Sequence, residues 1–355
     1  MKKAVALADR AASVSLWLVA FANMLFLLAF LATLFLLAGR AEAATPVCTG
    51  KNMLEEMATS DPAALDRIRA EAAKTPNGAG LLWKIEKEGA KPSFLFGTMH
   101  MTDPRVVTLP PVAQTAFDAS STVVIETTDV LDQAKMMASF MKDPELMMFT
   151  DKTTLPSLLS PEDEKMVEAA LSKRGIPLAS VIKMKPWILS AMVALPACEM
   201  ARKAAGEPVL DINLARQAEA AGKALGGLET AKSQLEAMAS LPLEFHVEGL
   251  VETLRLGDGI DDVIETMIEI YQSGDTGMFW PFFRAALPSS EDGESGYSAF
   301  EETMITSRNG VMAREAKAFL DGGGAFIAVG ALHLPGEEGV IALLRKDGYT
   351  VSRAD

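Results

Sequence analysis

The sequence predicts an α/β or α+β layer fold built around a central sheet. Short apolar, β-branched runs alternate along the chain with segments of helical spacing, the pattern of strands covered by helices. Two of these runs leave through the same turn, Gly97-Thr98-Met99-His100 and Gly330-Ala331-Leu332-His333. Charged residues make up 23% of the chain and no long low-complexity tract interrupts it, which is the composition of a folded body.

The elements follow in order. Residues 44–80 read as helical, with Asp61-Pro62 as a start signal and Pro76-Asn77-Gly78 as a stop. Leu81–Glu86 alternates like a strand, Lys87-Glu88-Gly89 turns, and Ser93–Phe96 returns, which makes a hairpin. Ser121–Ile125 is β-branched and apolar and reads as a buried strand. A helical section covers roughly 130–205. In it, Ser160-Pro161-Glu162-Asp163 puts a capping serine, a first-position proline and first-turn acids in sequence. Lys185-Pro186-Trp187 opens another helix, and methionines at helical spacing there read as core or groove packing. Leu210–Ala221 is a helix stopped by Gly222, and Ala224–Leu228 a short buried strand. Residues 231–320 are mostly helical, broken near Gly274 and by the loop Ser289–Gly296. Ala325–Val329 is the clearest buried strand, Gly336–Lys346 a helix, and Tyr349-Thr350-Val351 a last strand. The segments from Phe94 and Phe326 share a loose echo, which hints at two related halves meeting at one site.

The N-terminus stands apart. Lys2, Lys3 and Arg10 precede an uncharged stretch, residues 11–39. It is long enough to span a bilayer, which takes about 20 apolar residues, and longer than the apolar core of an ordinary signal peptide. Ala41-Glu42-Ala43 has the form of a cleavage site. A cleaved signal and a retained anchor both remain open, and either sends the rest of the chain across the membrane, periplasmic or anchored facing the periplasm. Residues 1–43 are thus expected to be leader or anchor and 44–355 a single domain. The net charge of −14 argues against nucleic acid and anionic lipid and reads as a solubilising surface. Cys48 and Cys198 are the two cysteines. In an oxidising compartment such a distant pair is a disulfide candidate, with two separate buried thiols as the alternative.

Three histidines are present, and two end strands through Gly-x-x-His. The glycine allows a sharp exit and close backbone approach. The histidine then projects at the strand's carboxyl end, the ligand-binding edge of open α/β sheets. Glu126 follows Val123-Val124-Ile125 and Glu229 follows Gly227-Leu228, so two acids occupy equivalent places. Two imidazoles and a carboxylate form a normal divalent-metal set. A metal so held acidifies bound water and polarises a carbonyl, and the other carboxylate is free to act as general base. A strand-end histidine can also simply satisfy buried backbone. Arg105 and Arg308 are candidates for holding a substrate carboxylate or oxyanion, with structural salt bridges as the alternative. His246, in an acidic helical context, reads as a surface or capping residue.

Phe94–His100 with Asp103-Pro104-Arg105 resembles the first signature of the TraB/GumN family. Phe326–Gly336, followed by Gly339 and Leu343–Tyr349, resembles its last. Ile125-Glu126, Asp211, Gly227–Thr230 with Gln234, Tyr271 with Gly274-Asp275, and Arg308-Asn309 also match. The family is similar to the TIKI secreted metalloproteases and, more distantly, to the erythromycin esterase and ChaN group. The resemblance implies a mixed sheet wrapped by helices. It also implies a divalent metal, manganese, cobalt or zinc, held by His100, Glu126 and His333. The role of Glu229 is not fixed by it.

The readings are therefore an exported metal-dependent hydrolase cutting peptide or amide bonds, a protein that sequesters a peptide or small ligand, and a metal or haem carrier. No Gly-x-Ser-x-Gly elbow supports a serine nucleophile.

Overall fold

A computed structural model describes residues 47–286 and 298–355. The leader or anchor expected over 1–43 and the break expected at Ser289–Gly296 lie outside the described residues. Among the described residues no helix is long and apolar enough to cross a membrane.

The expected runs form one six-stranded sheet: β1 (Leu82–Glu86), β2 (Ser93–Thr98), β3 (Thr122–Ile125), β4 (Ala224–Gly227), β5 (Ala325–Gly330) and β6 (Thr350–Arg353). Their spatial order is β4-β3-β5-β2-β1-β6. β1 is antiparallel to β2 and β6, and the other neighbours are parallel, so the sheet is mixed. The hairpin expected from Lys87-Glu88-Gly89 is β1–β2, with Leu82 opposite Phe96 and Ile85 opposite Ser93.

β5 is central because every residue of its apolar run has a core to enter. Phe326 and Ala328 face one core with Phe96, Val123 and Ile125. Ala325, Ile327 and Val329 face the other with Leu95, Val124 and Leu334. A continuous apolar run with period two is what a strand covered on both faces requires. Phe326 stacks on Phe96 at 5.8 Å between ring centroids and meets Phe117 edge-on at 5.5 Å. A third apolar cluster, including Leu155, Leu171, Leu189 and Leu250, holds the helices Pro161–Lys173, Pro186–Val193 and Leu243–Leu256 together.

Asp61 starts the helix Pro62–Ala72 as expected, its carboxylate accepting from the Ala64 N–H. Two expectations change. The run at Ala224–Leu228 is an edge strand rather than a buried one, with Ala224 and Gly227 exposed, since β4 pairs with β3 alone. The helix expected from Gly336 starts at Val340. Gly336 sits at φ 97°, outside helical space, and Gly339 becomes the N-cap. Cys48 and Cys198 form the expected disulfide, with Cα atoms 5.3 Å apart.

β2, β5, β3 and β4 all run the same way, so their C-terminal ends share one edge of the sheet. That edge carries the site.

Candidate functional site

His100 follows β2, His333 follows β5, Glu126 follows β3 and Glu229 follows β4. Strand order therefore lines up Glu229, Glu126, His333 and His100 across four adjacent strand ends. The two glycines of the Gly-x-x-His turns are needed for close approach. A Cβ on Gly97 would stand 2.7 Å from Leu334 Cδ1 and 3.1 Å from Ala331 Cα. One on Gly330 would stand 3.2 Å from Glu126 Oε1, to which the Gly330 N–H donates at 2.7 Å.

Each imidazole is held at Nδ1. His100 donates from Nδ1 to Asp211 Oδ2 at 2.8 Å, and Thr98 Oγ1 donates to the other Asp211 oxygen at 2.8 Å. Asn309 donates through Nδ2 to the Glu338 carbonyl, which aims its Oδ1 at His333 Nδ1, 2.7 Å away. His333 thus donates from Nδ1 and presents Nε2, 3.8 Å from Glu126 Oε1. The settings differ: the His333 side chain is 4% exposed and that of His100 58%.

The carboxylates are fixed just as closely. Glu126 Oε2 accepts from Arg308 Nη2 at 2.8 Å and from Gln234 Nε2 at 3.0 Å. Glu229 accepts from Arg308 Nη2 at 2.7 Å and Nε at 3.1 Å, and from Gln234 at 3.2 Å. The Tyr271 hydroxyl donates to the Gly97 carbonyl at 2.9 Å, which pins the end of β2.

Charge follows from these contacts. The Asp211 carboxylate raises the His100 pKa to about 9. Burial lowers that of His333 to about 4, against the pull of Glu126. Burial opposes ionisation of Glu126, but His333, His100 and Arg308, with the Gly330 N–H, outweigh it and bring its pKa to about 2. Burial also works against the Arg308 charge, and the hydrogen bonds and charges of Glu229 and Glu126 overcome it.

These settings bear on whether a metal fits. A neutral imidazole with Nδ1–H committed has its Nε2 lone pair 3.8 Å from an ionised carboxylate oxygen. Two acceptors facing each other call for a cation between them, and histidines held through their second nitrogen are typical of metal ligands. Donor chemistry therefore fits a divalent ion at Glu126 and His333, with His100 as the third donor. Among the described residues, however, no group of three or more His, Cys, Asp or Glu side chains is gathered closely enough to hold one.

Arg105 is not part of this cluster. Its guanidinium is taken up by Glu265 at 2.6 Å, Asp103 at 3.0 Å and Glu269 at 3.1 Å. Arg308 makes the salt bridge weighed for it, to both strand-end glutamates at once. His246 is buried rather than on the surface, because its helix packs that face inward.

Sequence reasoning placed no role on Asp211, Asn309 or Gln234, although all three matched family positions. It missed Glu199 altogether. This carboxylate is fully buried, accepts from Thr102 N and Oγ1 at 2.8 Å each and from Arg202 at 3.1 Å, and so ties the loop after His100 to the helix Ala197–Ala204. Nothing in the sequence near it points to Thr102, which lies 97 residues away, and its pairing with Arg202 at i+3 reads as an ordinary helix-face ion pair.

The TraB/PrgY/gumN family model matches residues 81–353, which takes in all six strands and every residue of the cluster. The chain belongs to the TraB/PrgY/gumN family. Within the curated proteins it is similar to metalloprotease TIKI1 of Danio rerio, 26% identical over 310 residues that cover 76% of this chain and 62% of that one. Metalloprotease TIKI2 of Danio rerio is 26% identical over 319 residues, 76% of this chain and 60% of that one. Metalloprotease TIKI1 of Homo sapiens is 26% identical over 314 residues, 77% and 61%. The chain thus spans less than two thirds of the length of these relatives. No solved structure matches it significantly, so the likeness to erythromycin esterase and ChaN gains no support.

Proposed function

We propose that this family member is an exported metal-dependent hydrolase that cleaves peptide or other amide bonds. The reading is carried by the four adjacent strand ends that present Glu229, Glu126, His333 and His100, with each imidazole held at Nδ1. The TIKI relatives, which are named metalloproteases, agree with it. His333 and His100 would hold the ion through Nε2 and Glu126 through a carboxylate oxygen. A bound manganese, cobalt or zinc ion supplies Lewis-acid polarisation of the scissile carbonyl and an acidified water.

The chain's own residues set the rest. Asp211 and Asn309 hold the imidazole planes and tautomers. Arg308 helps keep Glu126 ionised and holds it beside Glu229, and Gln234 bridges the same two carboxylates. Glu229, with its oxygens shared by Arg308 and Gln234, is a positioning residue for Glu126. Arg105 holds the loop after His100 to the helix Gly259–Ser273 through Glu265 and Glu269. His100, the exposed imidazole, is the side on which substrate reaches the cluster.

The test is elemental analysis of the purified chain beside H100A and H333A, with hydrolysis of a quenched fluorescent peptide after reconstitution. One divalent ion per chain, lost in both variants, together with metal-dependent cleavage is expected. Absence of both metal and cleavage refutes the reading. A second reading, sequestration of a peptide without turnover, is favoured by the lack of a gathered three-ligand group among the described residues. It requires saturable binding that survives chelation and leaves the peptide intact by mass spectrometry.

A further inference from the structure

The disulfide lies against the loop that carries His100, and one guanidinium touches both. Arg202 Nη2 donates to Cys48 Sγ at 3.3 Å and to Glu199 Oε2 at 3.1 Å, while its Nε donates to Thr102 Oγ1 at 3.1 Å. Glu199 is fully buried and accepts from both the N–H and the hydroxyl of Thr102. Lys203 donates to the His100 carbonyl at 3.4 Å. Cys198, Glu199, Arg202 and Lys203 all belong to Ala197–Ala204, so the helix that the disulfide ties down is the one that grips residues 100–102.

Both sulfurs lie where a thiolate is favoured, because a guanidinium or the first turn of a helix stabilises one. Cys48 has the Arg202 guanidinium. Cys198 is the second residue of its helix, and the N-cap Pro196 brings no side-chain cap to the N–H groups of that turn. Glu199, the acid of the same turn, is already paired with Arg202 and with Lys203, 3.7 Å away. Access is unequal. Cys48 is half-buried and Cys198 is 3% exposed, so an attacking thiolate reaches Cys48 Sγ. The chain after Cys48 has its own anchors: the Lys51 N–H donates to Asp262 at 2.7 Å and the Met53 N–H to Thr266 at 2.8 Å. Opening the bond therefore leaves the segment docked and the two thiols within reach of each other.

We propose that Cys48–Cys198 is an exchangeable disulfide, opened by a dithiol, whose state sets how firmly Arg202 and Glu199 hold the His100 loop. One thiolate of the dithiol attacks Cys48 Sγ, a mixed disulfide forms, and Cys198 leaves as a thiolate. The second thiolate then attacks the dithiol's own sulfur in that bond, closes the dithiol into a disulfide and releases the Cys48 thiolate. Two electrons pass to the cysteine pair, and the two protons of the dithiol go to the cysteines or to water. Arg202 then faces an anion in place of a neutral sulfur. It turns to that anion and gives up part of its hold on Thr102 and Glu199.

The experiment titrates the metal-free chain, folded and without urea, with mixtures of reduced and oxidised dithiothreitol at mildly alkaline pH, and counts free thiols. The bond is expected to open while circular dichroism still reports the native fold. R202M should need an about tenfold higher ratio of reduced to oxidised dithiothreitol, the effect of about one unit in a thiol pKa. Hydrogen exchange gives the second readout. On reduction the Thr102 amide should accelerate about tenfold more than the amides of β5, which report opening of the whole fold. Reduction that begins only where urea unfolds the chain marks an inert clamp and overturns the proposal. An unchanged ratio in R202M does the same, as does equal acceleration at Thr102 and in β5, which is loss of global stability alone. The two wild-type measurements decide the matter if R202M does not fold. Neither readout involves metal or hydrolysis, so the result is separate from that of the hydrolase reading.

Discussion

His100 and His333 bring one side chain into opposite settings, and the difference is measurable. Burial lowers the His333 pKa to about 4, below the ordinary 6.5, so the unfolded chain binds more protons between those values. Its contribution to stability is present above pH 6.5 and lost as pH falls through 4. Glu126 behaves in the same direction lower down, between the ordinary 4.5 and about 2. His100 has the opposite sign: raised to about 9, it stabilises below pH 6.5 and loses that contribution as pH rises through 9. Its exposure makes this share the smaller one. Urea unfolding of the metal-free protein should therefore give a midpoint that peaks near pH 6.5 and falls more on the acid side. A flat profile between pH 6.5 and 4 would contradict the buried neutral His333. The partners of the two imidazoles give a second prediction. D211N and N309A remove the groups that orient them and should weaken metal binding about ten- to a hundredfold while the fold persists. Competition titration with a chelating dye reads this without reference to activity.

At the scale of elements, the turns after β2 and β5 pack so closely that side-chain bulk is excluded. Gly97→Ala would drive a Cβ into Leu334 and Ala331, and should cost about 1–3 kcal/mol in urea unfolding. A cost near zero would mean that the turn has room. The loop after His100 is held by a buried carboxylate, so Glu199→Ala strands the Thr102 donors and Arg202. A loss of about 3–5 kcal/mol is expected, because one partner of a buried charged network is removed. These elements were legible to different degrees. β5 showed itself because a strand covered on both faces must be apolar at every position. β4 misled, because an Ala-Leu-Gly-Gly run is apolar whether or not a neighbour covers it. The helix at Val340 began late, because the need for a positive φ at Gly336 is set by the turn and not by composition.

Across the whole molecule, one covalent bond and one sheet edge relate segments that are far apart in sequence. The disulfide joins Cys48 to Cys198 over a separation of 150 residues, and Arg202 donates to Cys48 Sγ at 3.3 Å and to Thr102 Oγ1 at 3.1 Å. Reduction, or C48A with C198A, should lower stability by roughly 3–5 kcal/mol through the freed unfolded chain, read as a shift in the urea midpoint at constant pH. The parallel run of β2, β5, β3 and β4 is what turns four separate strand ends into one site.

The sequence by itself determined the kinds of residue at those ends, the hairpin, the central strands β3 and β5 and the cysteine pair, because each is written in local spacing and composition. It also marked the two glycines, whose small size is a local property. Only the tertiary structure decided that the strand order is β4-β3-β5-β2, that Asp211 faces His100 across 111 residues, and that Arg308 binds two glutamates while Arg105 binds three other acids. Those pairings depend on which helix packs over which strand end, and that is settled by burial of the whole core rather than by any segment alone.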